Sequence, residues 1–257
     1  MKIRLIAAGV VIAFLAAVLF FGLGVSHQML ARTGAEDGSS LSAPAKVEAA
    51  SLSEPAPIGP ATAAANTSLP ALAQAAAVSD VDPHKAFGSK TAPITMEVFS
   101  DFQCPACKQL FKTTNQALID NYVNTNKVYL VHRDFPLPMH AYSRVAARYV
   151  RAAAGLGKAE LAEQVLFNNQ EKWEQSGDVD GTLASVFSAA EISKIRAQAK
   201  GTALDPAIEK DVALGKTYNV NQTPTTIIHY KGQTYPVVGV VTYDVLHQFL
   251  DQLLSQR

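Results

Sequence analysis

Two cysteines carry the chemistry that this sequence can be expected to perform. Cys104 and Cys107 are the only cysteines among the 257 residues, and Pro105 and Ala106 separate them. Cysteine sulfur is a nucleophile and a metal ligand in its thiolate form, so a close pair indicates a redox couple or half of a metal site. Because there is no third cysteine, the only disulfide that can form within the chain joins these two.

The elements around the pair favour the redox interpretation. Residues 95–99 form a short apolar run typical of a strand, and residues 105–123 carry apolar side chains at helical spacing. Cys104 is therefore predicted at the start of a helix, where Pro105 is tolerated as the first helical residue. Unpaired N–H groups and the helix dipole favour negative charge at this end. We expect Cys104 to be the accessible, acidic thiol and Cys107, one turn further along, to be the buried resolving thiol.

The rest of the sequence predicts the element order β-α-β, a helical block, then β-β-α. Strands are predicted at residues 127–133, 225–230 and 233–238, the last at a sheet edge because it contains a proline. Four helices are predicted between the second and third strands, over about residues 138–218. The fourth of them is expected to begin with Asp205 as its capping residue.

Three motifs give residues 93–254 a resemblance to the DsbA-like family of thioredoxin-fold oxidoreductases. They are FSDFQCPACK at residues 99–108, HRDFPL at residues 132–137 and VNQTPT at residues 220–225. The resemblance implies an α/β thioredoxin-like fold with an inserted helical domain. It also implies catalysis by Cys104 and Cys107, with no cofactor other than their own redox-active disulfide.

The third motif resembles the family's loop that faces the active site. The resemblance implies a cis peptide bond between Thr223 and Pro224, with both residues binding substrate. Pro105 and Ala106, which lie between the cysteines, are expected to support the site, and Phe102 is expected either at the rim of the site or in a purely structural role.

Two positions depart from the family pattern. Ala106 stands where the best-known members have histidine, and Val98 stands where the family often has a strand acid near the buried thiol. Glu97 is adjacent to Val98, but strand alternation is expected to put it on the opposite face of the sheet. Asp101 is expected either at the rim of the site or in a structural role. His140 is expected to pack in the core or to cap a helix rather than to take part in catalysis.

The N-terminal third is predicted to tether the catalytic domain to a membrane rather than to fold with it. Residues 1–26 contain an uncharged, almost wholly apolar run that is long enough to span a bilayer. We expect an N-terminal transmembrane helix as an uncleaved membrane anchor, with a cleaved signal peptide as the alternative. Residues 27–80 are rich in Ala, Ser and Pro and predict a flexible, disordered linker. Residues 81–257 are then expected on the periplasmic or extracytoplasmic side of the inner membrane.

Several functions remain compatible with these patterns. We favour a dithiol oxidase that forms disulfides in thiol-containing exported proteins and is recycled by a membrane redox partner. A reductase or isomerase could use the same site. A metal-binding or copper-chaperone module would need further ligands, but no second C-x-x-C exists and no metal site is expected. With 22 basic and 22 acidic residues, the chain has no excess positive charge for binding nucleic acid.

Overall fold

The structure of the protein is a computed structural model in which residues 81–256 are described. The predicted anchor, residues 1–26, and the predicted linker, residues 27–80, lie outside the described residues. Among residues 81–256, no helix is both long enough and apolar enough to cross a membrane.

A five-stranded mixed sheet forms the centre of the domain, in the order β1-β3-β2-β4-β5. The strands are β1 (Ala86–Phe87), β2 (Ile94–Ser100), β3 (Val128–Asp134), β4 (Thr225–Tyr230) and β5 (Gln233–Val238). Strands β2 and β3 are parallel, and the other neighbours are antiparallel. The strands predicted before and after the helical block are confirmed to within one residue, and β5 is at the sheet edge as predicted.

Helix α1 connects β2 to β3 and begins beside the two cysteines. It starts as Pro105–Leu110 and continues without a break through Phe111–Asn115, Gln116–Leu118 and Ile119–Val123, the first and last of these three being π-helical. Helix α8 (Tyr243–Ser255) follows β5, and its N-cap is Thr242.

Between β3 and β4, the described chain forms six helices rather than the four predicted. They are α2 (Ser143–Ala154), α3 (Ala159–Asn168), α4 (Gln170–Trp173), α5 (Val179–Ala184), α6 (Ala189–Ala199) and α7 (Asp205–Thr217). The short helices α4 and α5 were missed because each has too few residues to show a period. The predicted cap of α7 was wrong: Leu204 is the N-cap, and the Asp205 carboxylate instead pairs with Arg148 at 2.6 and 2.7 Å.

The two faces of the sheet have separate cores. Met96 of β2 belongs to a buried cluster with residues of α1 and with Leu250 of α8. On the other face, helix α7 approaches so closely that a Cβ atom at Gly215 would lie 2.7 Å from the Phe135 ring and 3.1 Å from the Phe99 ring. A third core lies within the helical block, and both cysteines are part of it. The start of α1 therefore packs against the inserted helices, which position the site.

Buried ion pairs join the sheet to helices α2 and α7. Three cations and three carboxylates alternate in one connected network: Lys85, Asp134, Arg151, Asp211, Arg133 and Glu97. All six are at most 6% exposed. Burial opposes ionisation of Asp134, but the charges of Lys85 and Arg151 outweigh it and lower the pKa of this carboxyl. The network is stable only while its charges remain matched.

Replacing Asp134 with Asn should destabilise the domain strongly. The substitution keeps the shape of the side chain but leaves Lys85 and Arg151 buried without one of their counter-charges, a change that costs about 3–5 kcal/mol. Urea denaturation at neutral pH measures the loss. Glu209→Gln is the matched control, because its ion pair with Arg144 is exposed and contributes little. Equal stability of the two variants would contradict this role of the network.

Candidate active site

Cys104 is the N-cap residue of α1, and Pro105 is the first residue of the helix, as predicted. The backbone of Cys104 is extended, with φ −75° and ψ 121°, and its carbonyl accepts the N–H of Lys108 at 3.2 Å. Cys107 lies inside the first turn, and both thiols are free. Cys104 is the more accessible of the two cysteines, as expected, but the difference is small: Cys104 is 7% exposed and Cys107 is 2% exposed.

The surroundings of the Cys104 sulfur favour its thiolate. A hydrogen bond from the Cys107 thiol lowers the pKa of Cys104 most, and burial opposes this effect. Further hydrogen bonds from the Thr223 side chain and from the backbone N–H groups of Cys107 and Ala106 lower it again. The resulting pKa is about 6, against 9.0 for an ordinary cysteine thiol. At neutral pH, Cys104 is therefore mostly a thiolate, which is the nucleophilic form.

Cys107 has the opposite character. Burial raises the pKa of the Cys107 thiol, and its hydrogen bond to Cys104 and the charge of Cys104 raise it further. The backbone N–H of Asp101, 3.5 Å from the Cys107 sulfur, and the Ser100 side chain partly offset this rise. The pKa remains well above its ordinary value, so Cys107 stays protonated while Cys104 is ionised. The two thiols thus differ in charge at neutral pH.

The loop before β4 packs against Cys104. The Thr223–Pro224 peptide bond is cis, as the third motif implied. The Cys104 thiol donates a hydrogen bond to the Thr223 carbonyl at 3.3 Å. The Thr223 hydroxyl is buried and has no hydrogen-bond partner among the described residues while Cys104 is a thiol, so it is available to donate to the thiolate. The Pro224 carbonyl accepts the N–H of Gly239 at 2.8 Å, which ties this loop to the end of β5.

Asp101 is a buried anchor for the loop that precedes Cys104. One carboxylate oxygen accepts the N–H of Gln103 at 2.7 Å, and the other accepts the N–H of Leu137 at 2.7 Å and pairs with His140 Nδ1 at 2.9 Å. Of the two roles left open for Asp101, the structural one agrees with its 1% exposure. His140 joins the loop after β3 to this anchor. The core or capping duty expected of it was wrong, because the N-cap of α2 is Tyr142 and the His140 side chain is 22% exposed.

Phe102, two residues before Cys104, is buried in the same hydrophobic core as both cysteines. It is 4% exposed, and its ring lies 5.1 Å from the ring of Phe167 on helix α3. Glu97 is on the opposite face of β2, as strand alternation predicted. It pairs there with Arg133 at 2.6 Å and with His229 at 2.9 Å. It does not line the cavity beside Cys107.

The cavity beside Cys107 has a volume of about 400 Å³, including its mouth. Val98 and Ser100 of β2 line it, together with a hydrogen-bonded pair, His132 and Glu163, whose Nδ1 and Oε2 atoms are 2.5 Å apart. Sequence analysis did not identify this pair, because Glu163 comes from helix α3, which is distant in sequence from β3. Within the described part of the chain, no group of His, Cys, Asp and Glu side chains could hold a metal ion.

Sequence analysis also missed Gln170. Its side-chain amide donates hydrogen bonds to the carbonyls of Phe102 and Cys104, at 2.7 and 3.1 Å. No local pattern could have identified it, since a single glutamine in a four-residue helix has no distinguishing spacing.

Three features together define the class of protein: the sheet order, the Cys-Pro-Ala-Cys segment at the start of a helix, and the cis-proline loop that faces it. They place the protein among the DsbA-like thiol–disulfide oxidoreductases, which are protein-disulfide oxidoreductase enzymes. The chain belongs to the thioredoxin family, whose model matches residues 80–252.

Solved structures with this fold include DsbA2 from Pseudomonas aeruginosa. It is 25% identical to this chain with a TM-score of 0.51, and the match covers 66% of this chain and 93% of that one. A thioredoxin-like oxidoreductase from Silicibacter pomeroyi is 24% identical with a TM-score of 0.57, over 68% of this chain and 95% of that one.

A sequence relative is the Na(+)/H(+) antiporter NhaA 3 from Salinispora tropica. It is 31% identical over 94 residues, or 36% of this chain. The matched segment is only 14% of the length of that relative.

The pH dependence of alkylation should report the Cys104 thiolate. With iodoacetamide, the rate at Cys104 should rise through a pKa of about 6 in the reduced protein, while Cys107 stays largely unmodified. Thr223→Val should move this midpoint to higher pH, because it removes one hydrogen bond to the thiolate. Thr226→Val is the matched control, since Thr226 is a buried threonine of β4 that pairs with Val98 and is not among the groups that lower the pKa of Cys104. A midpoint near 9 in the unaltered protein would refute the stabilised thiolate.

Proposed function

We propose that this protein is a dithiol oxidase that forms disulfide bonds in exported proteins through Cys104 and Cys107. The observation that carries the proposal is the place of the Cys104 sulfur at the start of α1 and against Thr223, where hydrogen bonds lower the pKa of its thiol to about 6. Stabilising this thiolate stabilises the reduced enzyme relative to its disulfide, which makes the disulfide a stronger oxidant. The redox-active disulfide serves in place of a cofactor.

The reaction we propose has two exchange steps. In the first, a substrate thiolate attacks the Cys104 sulfur of the oxidised pair, the Cys104–Cys107 bond breaks, and Cys107 leaves and takes up a proton. In the second, another thiolate of the substrate attacks the substrate sulfur of the mixed disulfide and releases Cys104 as a thiolate. The substrate loses two electrons and the enzyme gains them. Because Cys104 has the lower pKa, it is the better leaving group in the second step.

Thr223 and Pro224 are proposed to receive the substrate backbone beside Cys104. The support is their position: the Thr223 carbonyl is 3.3 Å from the Cys104 sulfur. Pro105, Ala106 and Phe102 support the geometry without reacting.

We further propose that the enzyme works outside the cytoplasm, held there by an anchor at residues 1–26. The apolar sequence of that segment and the oxidative chemistry support this location. A membrane redox partner would then accept the two electrons from the reduced pair and restore the disulfide.

The reduction potential of the Cys104–Cys107 couple tests the direction of the reaction. We expect a value between about −120 mV and −270 mV, because the Cys104 pKa lies between the values of about 3.5 and 7 found in DsbA and thioredoxin. Equilibration with glutathione measures it. A potential at or below that of thioredoxin would instead indicate a reductase. An isomerase would instead reactivate ribonuclease that has mispaired disulfides faster than ribonuclease whose disulfides have been reduced.

A trapping experiment tests the order of the two thiols and the substrate class together. Cys107→Ala should accumulate mixed disulfides in growing cells: the Cys104 thiolate attacks a disulfide of a partner protein and releases one partner thiolate, and the Cys107 thiol that would otherwise attack the mixed disulfide and free the partner is gone. Cys104→Ala is the matched control and should accumulate none, since Cys107 is buried and its pKa is raised. The trapped partners should be exported proteins. Adducts formed only by the control variant, or only with cytoplasmic proteins, would overturn the proposal.

A further inference from the structure

Helix α4 lies against the loop that carries Cys104. Gln103 donates a side-chain hydrogen bond to the carbonyl of Glu174, one residue past α4, at 3.0 Å. Lys108 of α1 forms an ion pair with Glu171 of α4. These contacts join the inserted helical block directly to the segment around the reactive thiol.

Helix α4 is itself held firmly in the helical core. Its Trp173 is completely buried and donates its indole N–H to the carbonyl of Leu166 at 2.9 Å. A short helix has little stability alone, so this anchor determines where its other side chains lie. Gln170, in the first turn of α4, therefore has a defined position relative to Cys104.

Gln170 uses its side-chain amide to bind the backbone of the reactive loop. It is 2% exposed, and its Nε2 atom lies 2.7 Å from the Phe102 carbonyl and 3.1 Å from the Cys104 carbonyl. An amide nitrogen has two hydrogens, so it can satisfy both acceptors at once. Buried carbonyls that lose their donors are costly, which makes this arrangement strongly preferred.

We propose that Gln170 is a positioning residue that holds Cys104 at the start of helix α1, with its sulfur against Thr223. The Cys104 carbonyl is bound from two sides, by Gln170 and by the N–H of Lys108. The rotation of the Cys104 backbone, which aims the sulfur, is thereby restricted. The inference rests on the proposed function only in taking Cys104 as the reactive thiol, and it holds for oxidation and reduction alike.

The consequence concerns the groups that stabilise the thiolate. The donors that lower the pKa of Cys104 act only while its sulfur remains close to Cys107, Thr223 and the first N–H groups of α1. Without Gln170, the carbonyls of Phe102 and Cys104 can turn toward other donors. The Cys104 sulfur then moves away from the groups that stabilise its thiolate. Gln170 therefore acts on the thiol through the backbone, without touching the sulfur.

The test replaces Gln170 with Met, which has a similar volume and no donor. The pKa of Cys104 in the reduced protein, measured from thiolate absorbance near 240 nm, should rise by about one unit, the effect of one lost net hydrogen bond. The equilibrium constant with glutathione should change about tenfold toward a weaker oxidant, or about 30 mV. Circular dichroism verifies that the variant is folded. If it is not, Gln170→Asn, a shorter amide, provides the same comparison.

Gln103→Met is the matched control, since it makes the same substitution in the same contact between loop and α4. Gln103 binds the Glu174 carbonyl and the Tyr142 N–H but neither carbonyl held by Gln170. In the Gln103→Met variant, the pKa of Cys104 should remain near its value in the unaltered protein. An unchanged pKa in folded Gln170→Met, or an equal rise in Gln103→Met, would overturn the inference. If instead the oxidase proposal were wrong, the unaltered protein would have a low reduction potential. The difference in Cys104 pKa between Gln170→Met and Gln103→Met would remain.

Discussion

The negative charge on the Cys104 sulfur depends on hydrogen bonds that converge on one point from separate parts of the chain. The Cys107 thiol and two backbone N–H groups come from the start of α1, and the Thr223 side chain comes from the loop before β4. Burial works against the charge, so the thiolate exists at neutral pH only because these donors outweigh desolvation. Burial raises the pKa of Cys107 most, and the hydrogen bond that its thiol donates to Cys104 raises it further. One arrangement thus gives the two thiols different roles.

The rest of the domain holds this arrangement together. The antiparallel pairing in the sheet brings the end of β2 beside the start of β4, which places Cys104 opposite Thr223 although 119 positions separate them in sequence. Asp101 fastens the loop before Cys104 to the loop after β3, and Gln170 fastens it to the helical block. The buried ion network joins that block to the sheet on the other side. The inserted helices are therefore part of the framework of the site.

Sequence reasoning succeeded where the physical cause is local. The strand before Cys104 and the helix after it follow from apolar periodicity, and the position of Glu97 on the far face follows from strand alternation alone. It failed where the cause is a contact between distant segments. Asp205 has the residue type of a helix cap but pairs with Arg148, which no spacing rule could indicate. The Glu163–His132 pair and the glutamine on α4 were missed for the same reason.

The sequence by itself determined the chemistry and its place on an element: two cysteines at redox spacing, a helix beginning between them, and a proline loop whose motif implied a cis bond. The cysteine spacing and the helix start are encoded within a few consecutive residues, so propensity and spacing suffice to recognise them. The cis bond was implied only by the resemblance of the motif to the family's loop. Only the tertiary structure decided how acidic each thiol is, how little of Cys104 is exposed, and which side chains hold its loop. Those properties arise from burial and from hydrogen bonds between segments far apart in the chain, and they exist only once the chain has folded.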